Sequence, residues 1–398
     1  MKRKKLSAVA LSLALAMTLP GNVIPVGAAD TKPGKLICSK ADDWNSLFDR
    51  AGTQEGWLGA DGIFTVSLDE NDRIGSAGED TRTFFIFSDS LIGSADTEGN
   101  ISEDGKYMVN HSSAVLKGKE PDPSNIEFKF GYKASGYDPD SYDDKGAKNN
   151  LFGGGKLEEG GRYEAWMQDC LVVGDHVYTF GFPFDYEWKP ARVDMITIPI
   201  KNGEPDYASF KKENIPQLNR STYDDLGKRK YLYDYSVGIL NNTEEAHAVN
   251  PDGYLYFYGY RDDVQDFSTK NMVVARVPRE KFPDFTSLRY WNGTDWGDDI
   301  EASAPIVKRV SCELSVTPIP SGPYKGKYIA IYTQDVQSPR MMYAIGENPW
   351  GPFDEPVQFY TAPEFVATDR GQVYTYNAKA HPHLSPEGQL LISYNVNT

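Results

Sequence analysis

An all-β fold, specifically a five-bladed β-propeller, is what this sequence predicts, and three observations predict it. Short runs of Tyr, Phe, Val, Ile and Trp alternate with Gly, Asp, Asn and Pro, the mark of many short strands joined by turns. Helical periodicity is scarce beyond an N-terminal apolar run. A two-strand unit recurs at irregular spacing, and radial repeats accommodate so many strands where one open sheet would curl or split.

The units follow in order. Gly62 to Val66 precedes Thr83 to Phe87, and Asp169 to Val172 precedes His176 to Gly181. Tyr235 to Ile239 precedes Gly253 to Gly259, and Glu313 to Val316 precedes Lys327 to Tyr332. Ala378 to Pro382 precedes Gln389 to Tyr394, and Met272 to Val277 and Met341 to Ile345 are third strands. The first strand of each unit is expected to line a central channel. The last unit lacks outer strands, which must come from residues 33–56 or from sequence beyond this chain. Residues 133–161 form a long polar loop.

The N-terminus reads as an export signal over residues 1–28. Lys2, Arg3, Lys4 and Lys5 precede an apolar run from Ala8 to Leu19, and Val26-Gly27-Ala28 offers a small-residue cleavage site. The run is shorter than the ~20 residues of a membrane span. The expectation is a secreted, extracellular protein whose residues 29–398 form one domain. Removing the four basic residues takes the formal charge from −16 to −20. Such a surface repels nucleic acid and anionic membranes, so a neutral polysaccharide or oligosaccharide is the expected partner of a monomer. The three cysteines, Cys38, Cys170 and Cys312, make no disulfide scaffold, and Cys170 and Cys312 read as small buried hydrophobes.

Glycoside hydrolysis needs two carboxyl groups flanking the bond, so acids at the ends of apolar strands carry the interest. Asp61, in Trp57-Leu58-Gly59-Ala60-Asp61-Gly62, heads a strand beside glycines, although Asp-Gly is also a turn dipeptide. Asp89, in Phe87-Ser88-Asp89-Ser90, closes the next strand as a cap or a functional group. Asp169 and Glu313 hold the equivalent position in the second and fourth units, and His381 does so in the fifth. Solvated strand ends explain each singly; recurrence at one position favours a shared cleft. Trp57, Trp166, Tyr235 and Tyr376 are sugar-ring platforms or core aromatics. His381 and His383, on either side of Pro382, are not read as a shared zinc site. No metal or other cofactor is required by any motif. Asp138-Pro139-Asp140 through Gly146 has a faint look of a calcium loop, with Asn149 where an EF-hand has Glu.

Gly59-Ala60-Asp61-Gly62 followed by Phe87-Ser88-Asp89-Ser90 resembles the start of secreted five-bladed propellers of the domain-of-unknown-function 5005 and 4185 type, related to endo-D-arabinanase-like glycoside hydrolases. Asn348 to Phe353, Ala378 to Pro382 and Ile392 to Asn397 share the likeness. The resemblance implies a catalytic pair of aspartates, falling on Asp61 and Asp89, with a longer segment between them here. The function expected is a secreted, endo-acting glycosidase cleaving arabinan or another furanoside. The alternative is a carbohydrate-binding or cell-surface propeller without catalysis.

Overall fold

The computed structural model describes residues 11–18, 36–131, 151–152, 165–184, 189–263, 270–368 and 371–397, the first of these as a strand only. Among these residues the chain is nearly all β, with one short helix, Asp42–Leu47, and a few single turns of 3-10 helix.

Antiparallel sheets succeed one another along the chain. The first runs Phe64–Ser67, Arg82–Phe87, Ser112–Lys117, Ile126–Phe130, flanked by a small sheet of Gly56–Ala60, Ser90–Gly93 and Tyr107–Val109. The second runs Ala165–Val173, His176–Pro183, Asp194–Lys201, Lys211–Asn214. The third is built on Arg229–Asn242, Tyr254–Asp263 and Lys270–Pro278, and the fourth on Leu314–Pro318, Tyr328–Thr333, Arg340–Gly346 and Val357–Thr361. In the last, Tyr374–Ala380 pairs with Gln389–Asn397, which pairs with Leu11–Thr18 and then Ile37–Lys40.

The leading strands of successive sheets pack side by side: first to second, second to third, third to fourth, fourth to last. Hydrogen bonds join the last sheet back to the first. Thr65 Oγ1 meets His381 Nδ1 at 2.8 Å, Thr83 Oγ1 meets His383 Nε2 at 3.0 Å, and the Gly62 N–H donates to Asn395 Oδ1 at 3.2 Å.

The core is divided in the same way, because each sheet is apolar on both faces. Along Tyr254–Asp263, Leu255 and Phe257 join a cluster with Phe180 and Met195 of the second sheet. Their alternates Tyr256, Tyr258 and Tyr260 join Leu314 and Tyr332 of the fourth. Strand residues alternate faces, so an unbroken apolar run marks a strand buried on both sides. Equivalent clusters fill the remaining gaps between neighbouring sheets.

The last sheet differs from expectation. Its outermost strand does come from residues 37–40, but the strand between is Leu11–Thr18, in the segment read as an export signal. Leu-Ser-Leu-Ala-Leu-Ala-Met-Thr alternates large with small residues, a strand-compatible period, and its eight residues match Gln389 to Val396 one for one. An uncovered strand edge readily takes such a partner. All three cysteines are free thiols, Cys170 buried as expected, but Cys312 is only partly buried and borders a cavity. Most of the polar loop, including Asp138 to Gly146, lies outside the described residues, and with it the calcium expectation.

Candidate active site

A cavity of about 480 Å³ opens where the leading strands begin, within the ~300–1,000 Å³ typical of small-ligand sites. Backbone irregularity shapes it. The leading strands of the second, third and last sheets each carry a bulge, between Met167 and Cys170, Tyr235 and Gly238, and Tyr376 and Lys379. A bulge re-aims side chains out of strict alternation. Ser236 (φ 74°) and Asn377 (φ 60°) sit in the left-handed region at two of these bulges, as Gly62 (φ 61°) does in the first sheet. A Cβ on Gly62 would lie 2.9 Å from Ser88 Oγ, so this glycine serves the turn and the close approach of Ser88.

Asp61 and Asp89 both line the cavity. Their segments are tied by the Asp61 N–H donating to the Asp89 carbonyl at 3.1 Å and the Ser88 N–H donating to the Asp61 carbonyl at 2.9 Å. Asp61 Oδ2 accepts the Tyr376 hydroxyl at 2.9 Å. Asp61 Oδ1 is buried with no hydrogen-bond partner among the described residues. Burial raises this carboxyl to about 6, against the lowering effects of the Tyr376 hydroxyl and the Lys379 charge. Asp89 is partly exposed and accepts from Asn110 Nδ2 at 3.3 Å.

Glu313 reaches the same cavity from the fourth sheet. Its Oε1 accepts from Asn377 Nδ2 at 2.8 Å and its Oε2 is paired with the Lys379 ammonium, which is itself 2% exposed. Burial raises Glu313 to about 7; Lys379 opposes this and the Asp61 charge adds to it. A further carboxyl, Asp234, lies behind the wall, accepting from Gln168 Nε2 at 2.7 Å and Asn219 Nδ2 at 3.3 Å; burial raises it to about 7. Ser236 donates to Gln168 Oε1 at 2.6 Å, which fixes the amide bordering the cavity. Trp166 forms part of the wall, with Phe182, Phe184, Tyr260, Tyr374 and Tyr376.

The remaining sequence-derived site residues are elsewhere. Trp57 is core: its ring stacks on Phe128 at 4.4 Å and its Nε1 donates to Ser112 Oγ at 3.0 Å. Tyr235 is fully buried between the second and third sheets, its hydroxyl 2.7 Å from Ser303 Oγ. His381 is closed between Thr65 Oγ1 and Ser393 Oγ at 2.8 and 2.7 Å. The leading strand runs Tyr374–Ala380, starting earlier than its apolar pattern suggests, so Tyr374, Tyr376 and Asn377 hold the place given to His381. Asp169 lies within the bulge and borders a smaller cavity of about 40 Å³, further along the leading strands, with Asp72, Asn241 and Lys379. Its oxygens accept the Cys170 and Ile239 N–H groups at 2.8 and 2.6 Å, and burial raises it to about 8.

Lys379 is the residue sequence reasoning missed that had a signal: a lysine among small and apolar strand residues, Asn-Ala-Lys-Ala-His. Tyr374, Phe182 and Phe184 carried none, since aromatics abound in every strand. No cluster of three or more His, Cys, Asp or Glu residues suited to a metal occurs among the described residues.

The model of a family described as a domain of unknown function, DUF5005, matches residues 41–398. No curated protein matches the chain. Among solved structures, a candidate hydrolase from Bacteroides ovatus is 17% identical, with 89% of each chain covered and a TM-score of 0.56. That likeness is one of fold. A GH43_1 enzyme from Xanthomonas citri is 13% identical over 89% of this chain and 93% of its own, with a TM-score of 0.37. An exo-β-1,3-galactanase from Phanerochaete chrysosporium is 11% identical over 84% and 60%, with a TM-score of 0.41.

Proposed function

We propose that this chain, which belongs to the DUF5005 family, is a glycoside hydrolase using Asp61 as proton donor and Asp89 as base or nucleophile. One observation carries the reading. Asp61, whose Oδ1 is buried with no hydrogen-bond partner among the described residues, lines an aromatic-walled cavity together with a second carboxyl, Asp89. An unpartnered buried polar atom is costly, and a proton handed to a glycosidic oxygen is the use such a group is suited to. A carboxyl raised to about 6 retains that proton at mildly acid pH, which general-acid catalysis requires. Tyr376 holds Asp61 in orientation, and Lys379 with Asn377 holds Glu313.

Glu313 is the alternative second carboxyl, favoured by its electrostatic interaction with Asp61. Asp89 shares the Asp61 wall of the cavity, whereas Glu313 comes from another sheet. Carboxyls ~5–5.5 Å apart imply retention and ~6.5–9.5 Å inversion, so product stereochemistry reports which spacing the working pair has. Asp61→Asn and Asp89→Asn are each expected to lower turnover at least ~10³-fold, while unfolding at wild-type temperature. Full activity in both, on any of a panel of arabinans, fructans and xylans, removes the proposal.

The finer reading is a five-bladed propeller in residues 29–398, a monomer exported after loss of residues 1–28, related also to the 4185-type arabinanases and cutting a neutral furanoside polymer internally. Charge repulsion by the acidic surface and the basic-then-apolar N-terminus support it. Loss of residues 1–28 would also take away the Leu11–Thr18 strand. The N-terminal residue of the exported protein, read by mass spectrometry, decides between a leader and a retained strand.

A further inference from the structure

Besides Tyr260 of the third sheet, the cavity wall carries aromatic side chains from the second sheet and from the last, and the sheet carrying Asp61 and Asp89 stands between those two. On one side, Ser88 of the first sheet exchanges hydrogen bonds with Met167 of the second: its hydroxyl donates to the Met167 carbonyl at 3.1 Å and accepts the Met167 N–H at 3.0 Å. This sets Trp166, Phe182 and Phe184 beside the acids. Trp166 is pinned edge-on by Phe184 (centroids 4.5 Å, 85°) and lies 6.4 Å from Phe182 at 69°. Phe184 is buried, whereas Trp166 and Phe182 keep part of their surface open. On the other side, the Tyr376 hydroxyl on Asp61 sets the last sheet against the first. Tyr374, its ring 5.6 Å from that of Tyr376, is likewise partly open.

We propose that the cavity is the middle of a cleft that grips a glycan on both sides of the acids, with Trp166 and Phe182 as one platform and Tyr374 as the other. The substrate class is then a linear oligosaccharide or polysaccharide long enough to touch both walls, cut at an internal bond. Rings held by edge-to-face packing lose little freedom when a sugar lies on them. A site for a chain end would need only one such wall and a stop on the other side. The proposal rests on the hydrolase reading of the same site.

The test uses Asp61→Asn protein titrated by calorimetry with arabino- and xylo-oligosaccharides, from disaccharide to hexasaccharide. Affinity should climb in two steps as first one wall and then the other is engaged. Adding Trp166→Ala or Tyr374→Ala should each abolish one step, weakening the longest ligands by roughly tenfold at unchanged melting temperature. Where either alanine variant lowers that temperature, Trp166→Leu and Tyr374→Leu replace it. A plateau already reached at the disaccharide, full hexasaccharide affinity in the Tyr374 variant, or no binding by either series overturns the cleft. Two-step binding without any turnover by the wild type would instead end the hydrolase reading and leave the two-walled cleft standing.

Discussion

Asp61 shows how opposing local effects set one residue's chemistry. Burial favours its neutral form, while the Tyr376 hydroxyl and the Lys379 charge favour the carboxylate, and burial wins. Replacing Tyr376 by Phe removes a donor to the charged form, so the pKa of Asp61 must rise. A net hydrogen bond of about 1 kcal/mol corresponds to a shift of roughly half to one pH unit. With Asp61 as proton donor, the alkaline limb of the pH–rate profile of Tyr376→Phe should move upward by that amount. A limb that stays in place, or moves down, would assign it to another group.

At the scale of the element, the close approach of neighbouring leading strands is what brings acids from different sheets to one cavity. Gly238, at the end of the third-sheet bulge, shows the tolerance. A Cβ there would sit 2.7 Å from the Leu314 carbonyl oxygen of the fourth sheet, and that obstacle is backbone. Gly238→Ala should therefore push the two strands apart, costing roughly 1–3 kcal/mol as overpacked cores do. Chemical denaturation would register this as a lower midpoint at unchanged m-value. A variant as stable as wild type would mean that the sheets can slide past one another, and that the site is less rigidly built than the packing implies.

Across the whole molecule, the buried carboxyls act together. Asp61, Glu313, Asp234 and Asp169 are raised to about 6, 7, 7 and 8, against unfolded values of about 4. The folded protein thus keeps protons that the unfolded chain releases. Their contribution to stability is fully present below pH ~4 and is lost as pH rises through the folded values. Buried His111 and His381 are lowered by desolvation and work the other way, but only below their usual ~6.5. Asp262, lowered by Lys270 and Lys189, adds stability that is lost only in acid. The melting temperature is expected to fall between pH 6.5 and pH 8, where Glu313, Asp234 and Asp169 lose their protons without opposition from the histidines. A flat or rising profile over that range would mean that these groups are open to water.

The strand pattern was legible because it depends on neighbours in sequence. Alternating and continuous apolar runs are consequences of strand geometry, and Tyr254–Asp263 or Tyr328–Thr333 could be read at sight. Asp61, Asp89, Glu313 and Trp166 were legible too, standing where such runs begin or end. The sequence by itself thus determined the strands, their burial and most of the acids. Three matters only the tertiary structure decided: that bulges send Gln168 and Asp169 to different cavities, that Trp57, Tyr235 and His381 are sealed within the core, and that Tyr374 and Lys379 belong beside acids up to about 300 residues away. The reason is physical. A bulge adds one unpaired residue to a ladder and leaves no compositional trace, and which face of a strand meets the axis depends on a neighbouring sheet that the local sequence does not contain.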